Sequence, residues 1–162
     1  MSNFQLKYRA LEPEDVTMLF LWENDLEINE VSLSKVPFSK FILEKYIDQA
    51  HLDIQQAGQY RFVLEDFEGN AVGCVDLFDY DAVDRRAAIG IIIEKKYRQQ
   101  GFASEAISLM KDYAFNRIGM HQLYCSVGIN NVKSLKLFES AGFKQIGVRK
   151  DWSFRNGAFH DV

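Results

Sequence analysis

An uninterrupted apolar run followed by a tight basic loop constrains this chain more than any other feature. The run Ala-Ala-Ile-Gly-Ile-Ile-Ile occupies residues 87–93 and is rich in β-branched side chains, which is typical of a central strand covered on both faces. Gly90 inside it predicts a bulge or the close approach of another group. From residue 103 to 118, apolar side chains recur at helical spacing and end before Gly119. The sequence therefore predicts a buried strand, a loop and a helix in direct succession.

Periodicity predicts the remaining elements. Alternating or continuous apolar stretches indicate strands at residues 4–10, 60–65, 72–78, 123–129 and 143–148, and helical spacing indicates helices at residues 13–24, 39–58 and 132–141. Residues 25–38 have no clear period and are expected to form a loop. Asn156-Gly157 predicts a hairpin. Because the return strand after it has only five residues, we expect it to be short or completed by a neighbouring copy, which allows a homo-oligomer.

Length and charge narrow the class of protein. A chain of 162 residues fits a single domain spanning residues 1–162. A net charge of −4 argues against a nucleic-acid partner, since such surfaces are strongly basic. The sequence contains no apolar run of about 20 residues and does not begin with the pattern of a signal peptide, so we expect a cytoplasmic protein without a membrane partner.

Cysteine and histidine usage points away from thiol and metal chemistry. Cys74 and Cys125 both lie in apolar strand-like segments, where reduced thiols behave as small buried hydrophobic groups. The three histidines are scattered and form no pair at metal-ligand spacing. We therefore expect neither a disulfide nor a metal site.

The loop at residues 98–104 has the composition of an anion site. A helix N-terminus leaves backbone N–H groups unpaired and carries about half a positive charge, so a phosphate placed there gains hydrogen bonds and a favourable field. Gly101 lets the backbone come close to such a group, and Ala103 and Ser104 keep the first helical turn narrow. An ordinary strand-to-helix connection fits the Arg-x-x-Gly-x-Ala spacing equally well by itself. The preceding buried strand with its inner glycine, fourth in a β α α β β β order, favours the anion site.

In this context the chain resembles the GNAT superfamily of N-acetyltransferases. Their pyrophosphate loop reads Gln/Arg-x-x-Gly-x-Gly/Ala, and Arg98, Gly101 and Ala103 occupy those positions here. The likeness is greatest to bacterial spermidine N-acetyltransferases and ribosomal-protein N-terminal acetyltransferases, and it extends over residues 6–15, 85–87 and 131–143. The resemblance implies an α/β (α+β) GNAT fold, in which a mixed, mostly antiparallel central sheet is splayed between its fourth and fifth strands and flanked by about four helices.

The resemblance also implies a site for acetyl-CoA as cosubstrate, with no metal. The pyrophosphate is expected on the loop amides, the pantetheine arm beside the central strand, and the short helix alongside. The implied cofactor-binding residues are Ile91, Ile92, Ile93, Arg98, Gln99, Gln100, Gly101, Phe102, Ala103, Ser104, Asn131, Ser134 and Phe138. Gly90 is expected where the central strand separates from the next one. Asn131 and Ser134 are also suited to capping the helix, and the two roles are compatible.

Two positions depart from the family pattern. Relatives commonly carry a tyrosine as general acid where this sequence has Phe138, and many carry a glutamate as base where it has Ala88. The catalytic groups are therefore unknown. Substitutes near the expected cleft are Asp76, Asp79, Tyr80, Asp81 and Tyr124, each of which also fits an ordinary turn or strand position.

The acceptor remains open at this point. Asp76, Asp79, Asp81 and Asp84 form an acidic run, and Glu27 and Glu30 lie where the family binds acceptors, but solvated connections have the same composition. A polyamine such as spermidine, a protein or peptide N-terminus and a small amine metabolite are equally compatible. The alternative of another class is a non-catalytic acetyl-CoA-binding module, which the residues at positions 88 and 138 favour.

Overall fold

The computed structural model describes residues 5–32 and 36–162 and is built around a five-stranded sheet. The sheet strands are β1 (Leu6–Arg9), β2 (Tyr60–Asp66), β3 (Ala71–Asp81), β4 (Arg86–Ile93) and β5 (Gln122–Tyr124), and a separate hairpin is formed by β6 (Ser153–Arg155) and β7 (Ala158–His160). In the sheet the strands lie in sequence order. All neighbours are antiparallel except β4 and β5, which are parallel.

Helices cover both faces of this sheet. They are α1 (Val16–Glu23), α2 (Leu26–Val31), α3 (Lys40–Asp48), α4 (Ile54–Ala57), α5 (Phe102–Asp112) and α6 (Val132–Ser140), with 3-10 turns at Pro13–Asp15 and Lys95–Tyr97 and a π turn at Tyr113–Arg117. On one face, Leu19 of α1 and Leu43 of α3 pack against Cys74. On the other face, Ile107 and Met110 of α5 belong to a second apolar cluster. These two sides are called the α1/α3 face and the α5 face.

Most of the predicted periodic elements are confirmed. The strands predicted at 4–10, 60–65, 72–78 and 87–93 correspond to β1–β4, although Phe4 lies outside the described residues. The predicted helix at 103–118 is α5 with its π turn, and that at 132–141 is α6. Asn156 and Gly157 both have positive φ, 49° and 77°, as the predicted hairpin turn requires.

The sheet separates between β4 and β5, as predicted. The two strands pair only where Arg86–Ala88 meets Gln122–Tyr124. Beyond Ala88, β4 stays paired with β3 up to Ile93 but has no partner from β5. The predicted strand at 123–129 is therefore too long at its C-terminal end, because the chain leaves the sheet at this separation.

Two predictions in the first half of the chain are wrong. The segment predicted as a loop at 25–38 contains α2, whose first turn is capped by the Asp25 carboxylate; residues 33–35 of this segment lie outside the described residues. The single helix predicted at 39–58 is two helices. The chain turns after α3, and Asp53 accepts hydrogen bonds from the N–H groups of Gln55 and Gln56 to begin α4.

One further strand prediction is wrong, and the prediction for Gly90 is confirmed in one of its two forms. Residues 143–148 form no strand; beyond them, Arg149 exchanges hydrogen bonds with Val162. Gly90 marks no bulge, since it pairs with Asp76 in regular register. It does mark a close approach, because an added Cβ would lie 3.3 Å from Phe78 Cε1.

Candidate active site

The gap between β4 and β5 exposes backbone polar groups of a half-buried strand. The Glu94 N–H donates to the Val72 carbonyl across the β3–β4 ladder, at 2.9 Å. Because successive residues of a strand point their backbone groups to opposite sides, Ile91 and Ile93 turn their N–H and C=O groups into the gap. Their side chains pack on the α5 face, whereas that of Ile92 packs on the α1/α3 face. The gap therefore offers hydrogen bonds to an extended ligand.

The anion loop, residues 98–104, lies at the end of this gap. Gln99 and Gly101 have positive φ values of 62° and 89°, which turn the chain sharply into α5. Among the described residues, none accepts a hydrogen bond from the backbone N–H groups of residues 99–104, and the first bond of the helix runs from Glu105 N–H to Gly101 O at 3.2 Å. A Cβ on Gly101 would meet nothing within 4 Å, so the concave side of the loop is open. These features suit a phosphate group.

Basic side chains fix this loop to its surroundings. Arg98 donates from Nε to the Ile93 carbonyl at 2.9 Å, which anchors the loop to the end of β4. Glu27 of α2 accepts hydrogen bonds from Lys95 at 2.5 Å and from Arg98 at 3.1 Å. The hydrogen bond from Lys95 lowers the pKa of Glu27 below its usual range. Glu27 was expected in the segment where the family binds the acetyl acceptor, and in this structure it lies at the anion loop.

The predicted residues of α6 belong to a helix that packs beside α5. The Asn131 side chain accepts a hydrogen bond from the Ser134 N–H at 3.2 Å and caps the helix, as expected of Asn131, while Ser134 takes part through its backbone N–H. Phe138 is buried and stacks edge to face on Phe143 at 5.1 Å. Phe138 belongs to the same apolar cluster as Ile91 and Ile93.

A partly buried charge network lies on the α1/α3 face. Arg61 of β2 donates from Nε and Nη2 to the two carboxylate oxygens of Asp76, at 2.6 and 2.7 Å, and also contacts Glu23 at the end of α1. Although burial by itself lowers the pKa of Arg61, the charge of Asp76 and its hydrogen bonds raise it well above the usual value. One guanidinium therefore lies between two carboxylates, and the network has one negative charge in excess.

Sequence reasoning missed Arg61 and Glu23. A signal was present for Arg61, because it precedes three consecutive apolar residues, Phe62, Val63 and Leu64, which are all buried. Because this strand is covered on both faces, a charged residue in it needs a partner of opposite charge. Nothing in the local pattern of α1 identifies Glu23 as that partner.

A cavity of about 560 Å³ opens beside this network, between α3 and the ends of β2 and β3. Its walls are mainly aromatic and aliphatic and include Asp76 and Phe78. Burial raises the pKa of Tyr46 in the wall to about 12, so this phenol is neutral. The lining also contains two carboxylates, Asp76 and Asp79, and one guanidinium, Arg61, so its excess negative charge and its aromatic walls suit an organic cation.

Comparison with protein families identifies the family of a chain with this sheet and loop. The profile of the "Acetyltransferase (GNAT) domain" family matches residues 5–144, which include the sheet, the gap and the anion loop. The chain belongs to the GNAT acetyltransferase family. It is therefore an acyltransferase that uses acetyl-CoA, as the sequence resemblance implied.

Its relatives include enzymes of both predicted branches. Spermidine N(1)-acetyltransferase of Vibrio cholerae is 31% identical over 160 residues, covering 99% of this chain and 91% of the relative. A putative ribosomal N-acetyltransferase of Bacillus subtilis, YdaF, is 29% identical over 96 residues, or 59% of this chain and 52% of the relative. The crystal structure of the Vibrio cholerae spermidine N-acetyltransferase with CoA and spermine superimposes with a TM-score of 0.90 at 31% identity, covering 98% of this chain and 92% of the other.

The five substitute groups of this acetyltransferase separate by position. Asp81 accepts hydrogen bonds from the N–H groups of Val83 and Asp84 in the β3–β4 turn and pairs with Arg86. Tyr80 packs on the α5 face, and Asp79 is exposed with a left-handed φ of 49°. Tyr124 is opposite Ala88 in register, and Asp76 is opposite Gly90. Asp76 and Tyr124 therefore lie on the α1/α3 face beside the separation of β4 and β5, and Asp79 and Tyr80 line the same cavity as Asp76.

Other predicted features concern the thiols and the membrane. Cys74 is buried and Cys125 half-buried, and both are free thiols, as predicted. Burial raises the pKa of Cys125 to about 11, which disfavours its thiolate form. Across residues 5–32 and 36–162, no helix has the length and apolar character needed to span a membrane.

Proposed function

We propose that this acetyltransferase moves the acetyl group of acetyl-CoA to a primary amine, and that a polyamine such as spermidine is the first acceptor to test. The observation that carries the proposal is the continuity of two binding features. The gap beside Ile91 and Ile93 leads directly to the anion loop, through the hydrogen bond from Arg98 to the Ile93 carbonyl. The spermidine acetyltransferases among the relatives support the choice of acceptor.

The residues present fit the cofactor. The free N–H groups of residues 99–104 and the positive end of α5 suit its pyrophosphate, and Ile91 and Ile93 offer strand-like hydrogen bonds to its pantetheine arm. We propose Asn131, Ser134 and Phe138 on α6 for the other side of the site, as the family resemblance implies. When bound, acetyl-CoA would supply the thioester: once the acceptor ammonium has lost a proton to water, the neutral amine forms the C–N bond as the C–S bond breaks, and its second proton goes to the departing sulfur to give the free thiol.

The chain's own contribution to the reaction is orientation and electrostatics. A β4 backbone N–H that points into the gap can hold the thioester oxygen as negative charge develops on it, which is usually the largest single effect in acyl transfer. General acid and base groups typically add about 10²–10⁴-fold, so their absence at Phe138 and Ala88 slows the reaction without abolishing it. A thiol with a pKa of about 8.5 also leaves readily without help.

The direct test is acetyl transfer to a panel of amines. We expect acetylation of at least one member of a panel containing spermidine, lysine and a tripeptide with a free N-terminus, with one thiol released for each acetyl group transferred. Thiol release and product mass measure the two halves of the reaction. Tight CoA binding without turnover on any amine would support the non-catalytic module instead, and absence of both would contradict the proposal altogether.

A further inference from the structure

Two small residues, Ala88 and Gly90, form a patch on the α1/α3 face of β4 that neighbouring side chains largely cover. Ala88 and Gly90 both face this side, because the alternate residues Ala87, Ile89 and Ile91 pack on the α5 face. The patch lies where β4 loses its β5 partner. It therefore adjoins the gap in which the thioester is proposed to lie, but on the opposite side from α5.

Asp76 is the carboxylate that borders this patch. A Cβ on Gly90 would lie 3.9 Å from Asp76 Oδ2 and 3.3 Å from Phe78 Cε1, and these two residues supply its nearest neighbours. The same two residues line the cavity of about 560 Å³ beside α3. The patch and the cavity are thus continuous along the side chains of Asp76 and Phe78.

Asp76 is the carboxylate of the charge network that is most exposed to solvent. Glu23 and Arg61 have side-chain exposures of 12% and 13%, whereas Asp76 has 21%. Each carboxylate oxygen of Asp76 accepts one hydrogen bond from Arg61, so the carboxylate is held in one orientation. Each oxygen can still accept a second hydrogen bond. The Asp76 carboxylate therefore lies in a fixed orientation and places the excess negative charge of the network next to the patch.

From this geometry we propose that Asp76 binds the ammonium group of the acceptor at the Ala88–Gly90 patch. This assignment rests on the proposed function and identifies the residue that recognises the amine. Charge-assisted hydrogen bonds from the ammonium to Asp76 hold the nitrogen beside the gap, while the rest of the acceptor extends into the cavity. Gly90 is needed because a side chain there would occupy the ammonium position.

The test separates acceptor binding from cofactor binding. In Asp76→Asn we expect the KM for each amine that the wild type acetylates to rise by about 10- to 100-fold, because a charge-assisted hydrogen bond is lost. The thermal shift produced by CoA should stay at the wild-type size. Gly90→Ala leaves every charge in place and should also raise the amine KM, by about fivefold or more, since its Cβ enters the patch next to Phe78.

Asp48→Asn is the matched control, because it removes one exposed carboxylate from α3 on the same face and should leave the amine KM unchanged. An unchanged KM in a folded Asp76→Asn protein would overturn the assignment, and so would an equal rise in Asp48→Asn. If Asp76→Asn does not fold, the amine KM of Gly90→Ala is the deciding measurement, and a value equal to that of the wild type contradicts the proposal. A wild-type protein that acetylates no amine would instead contradict the proposed function itself.

Discussion

Gly101 determines whether the anion loop stays open. Its φ of 89° lies in the left-handed region, and no neighbour lies within 4 Å of an added Cβ. A β-branched residue at this position is strained by the backbone angle alone. The loop is thus sensitive to a substitution that crowds nothing else.

We predict that Gly101→Val abolishes the thermal shift caused by CoA. At about 100 times its dissociation constant, a ligand adds about 2.7 kcal/mol, which raises the midpoint of a domain of this size by about 5–11 °C. Differential scanning fluorimetry with and without CoA measures this shift. Gly69→Val is the control, because Gly69 has a φ of 86° and equally empty surroundings in the β2–β3 turn. A full shift in Gly101→Val would show that the cofactor binds elsewhere.

The family resemblance implies that Phe138 lies at the position where relatives carry a general acid. Its ring is buried against Phe143, so a hydroxyl added to it must find a partner in the site or remain unsatisfied. We predict that Phe138→Tyr increases thiol release, by up to about 10²-fold if thiolate departure limits turnover. The rate is measured with the same amine at saturating acetyl-CoA.

The control for this substitution is Phe143→Tyr, which adds a hydroxyl to the neighbouring ring and should give no gain. A flat or lower rate in a folded, CoA-binding Phe138→Tyr protein would show that residue 138 only packs the core.

At the scale of elements, Arg9 links the turn before α1 to the sheet through ion pairs with Asp15 and Glu65. Arg9 donates to both carboxylate oxygens of Asp15, at 2.7 and 2.9 Å, and the Glu12 N–H donates to the same carboxylate. Although burial raises the pKa of Asp15, the hydrogen bonds from Arg9 and Glu12 lower it below its usual value of 3.8. The ion pair therefore stabilises the fold above the unfolded-state pKa, and this contribution is lost as pH falls through the folded-state pKa.

We predict that Asp15→Asn lowers the free energy of unfolding by about 2 kcal/mol at pH 7, as expected for a partly buried pair. The difference from wild type should shrink as the pH falls below about 4. Urea unfolding across this range measures it. Glu14→Gln changes the adjacent exposed carboxylate and should have little effect. A difference that stays constant down to pH 3 would contradict the role of the Asp15 charge.

The spacing of apolar residues correctly predicted the elements whose burial follows one pattern along their whole length. β2, β3 and β4 have apolar runs covered by helices, and α5 has an apolar stripe that ends before Gly119. The errors arose where a short polar signal outweighed periodicity. Asp25 and Asp53 each cap a helix that the pattern had missed or fused with another, and a search for capping residues would have found both.

Whole-molecule geometry explains why the two halves of the site differ in predictability. The anion loop is contiguous in sequence, so its glycine and its helix start are visible locally. The Glu23–Arg61–Asp76 network joins α1, β2 and β3, and no spacing along the chain reveals that these residues meet. The separation of β4 from β5 also depends on where pairing stops, which periodicity does not report. A homo-oligomer stays a prediction that light scattering can test.

A crystal structure of this protein with bound CoA tests where the cofactor lies. We expect the pyrophosphate within hydrogen-bond distance of the backbone N–H groups of residues 99–104, and the pantetheine arm in the gap beside Ile91 and Ile93, with its sulfur near the Ala88–Gly90 end. Pyrophosphate density away from the anion loop, or a pantetheine arm outside the gap between β4 and β5, would contradict it.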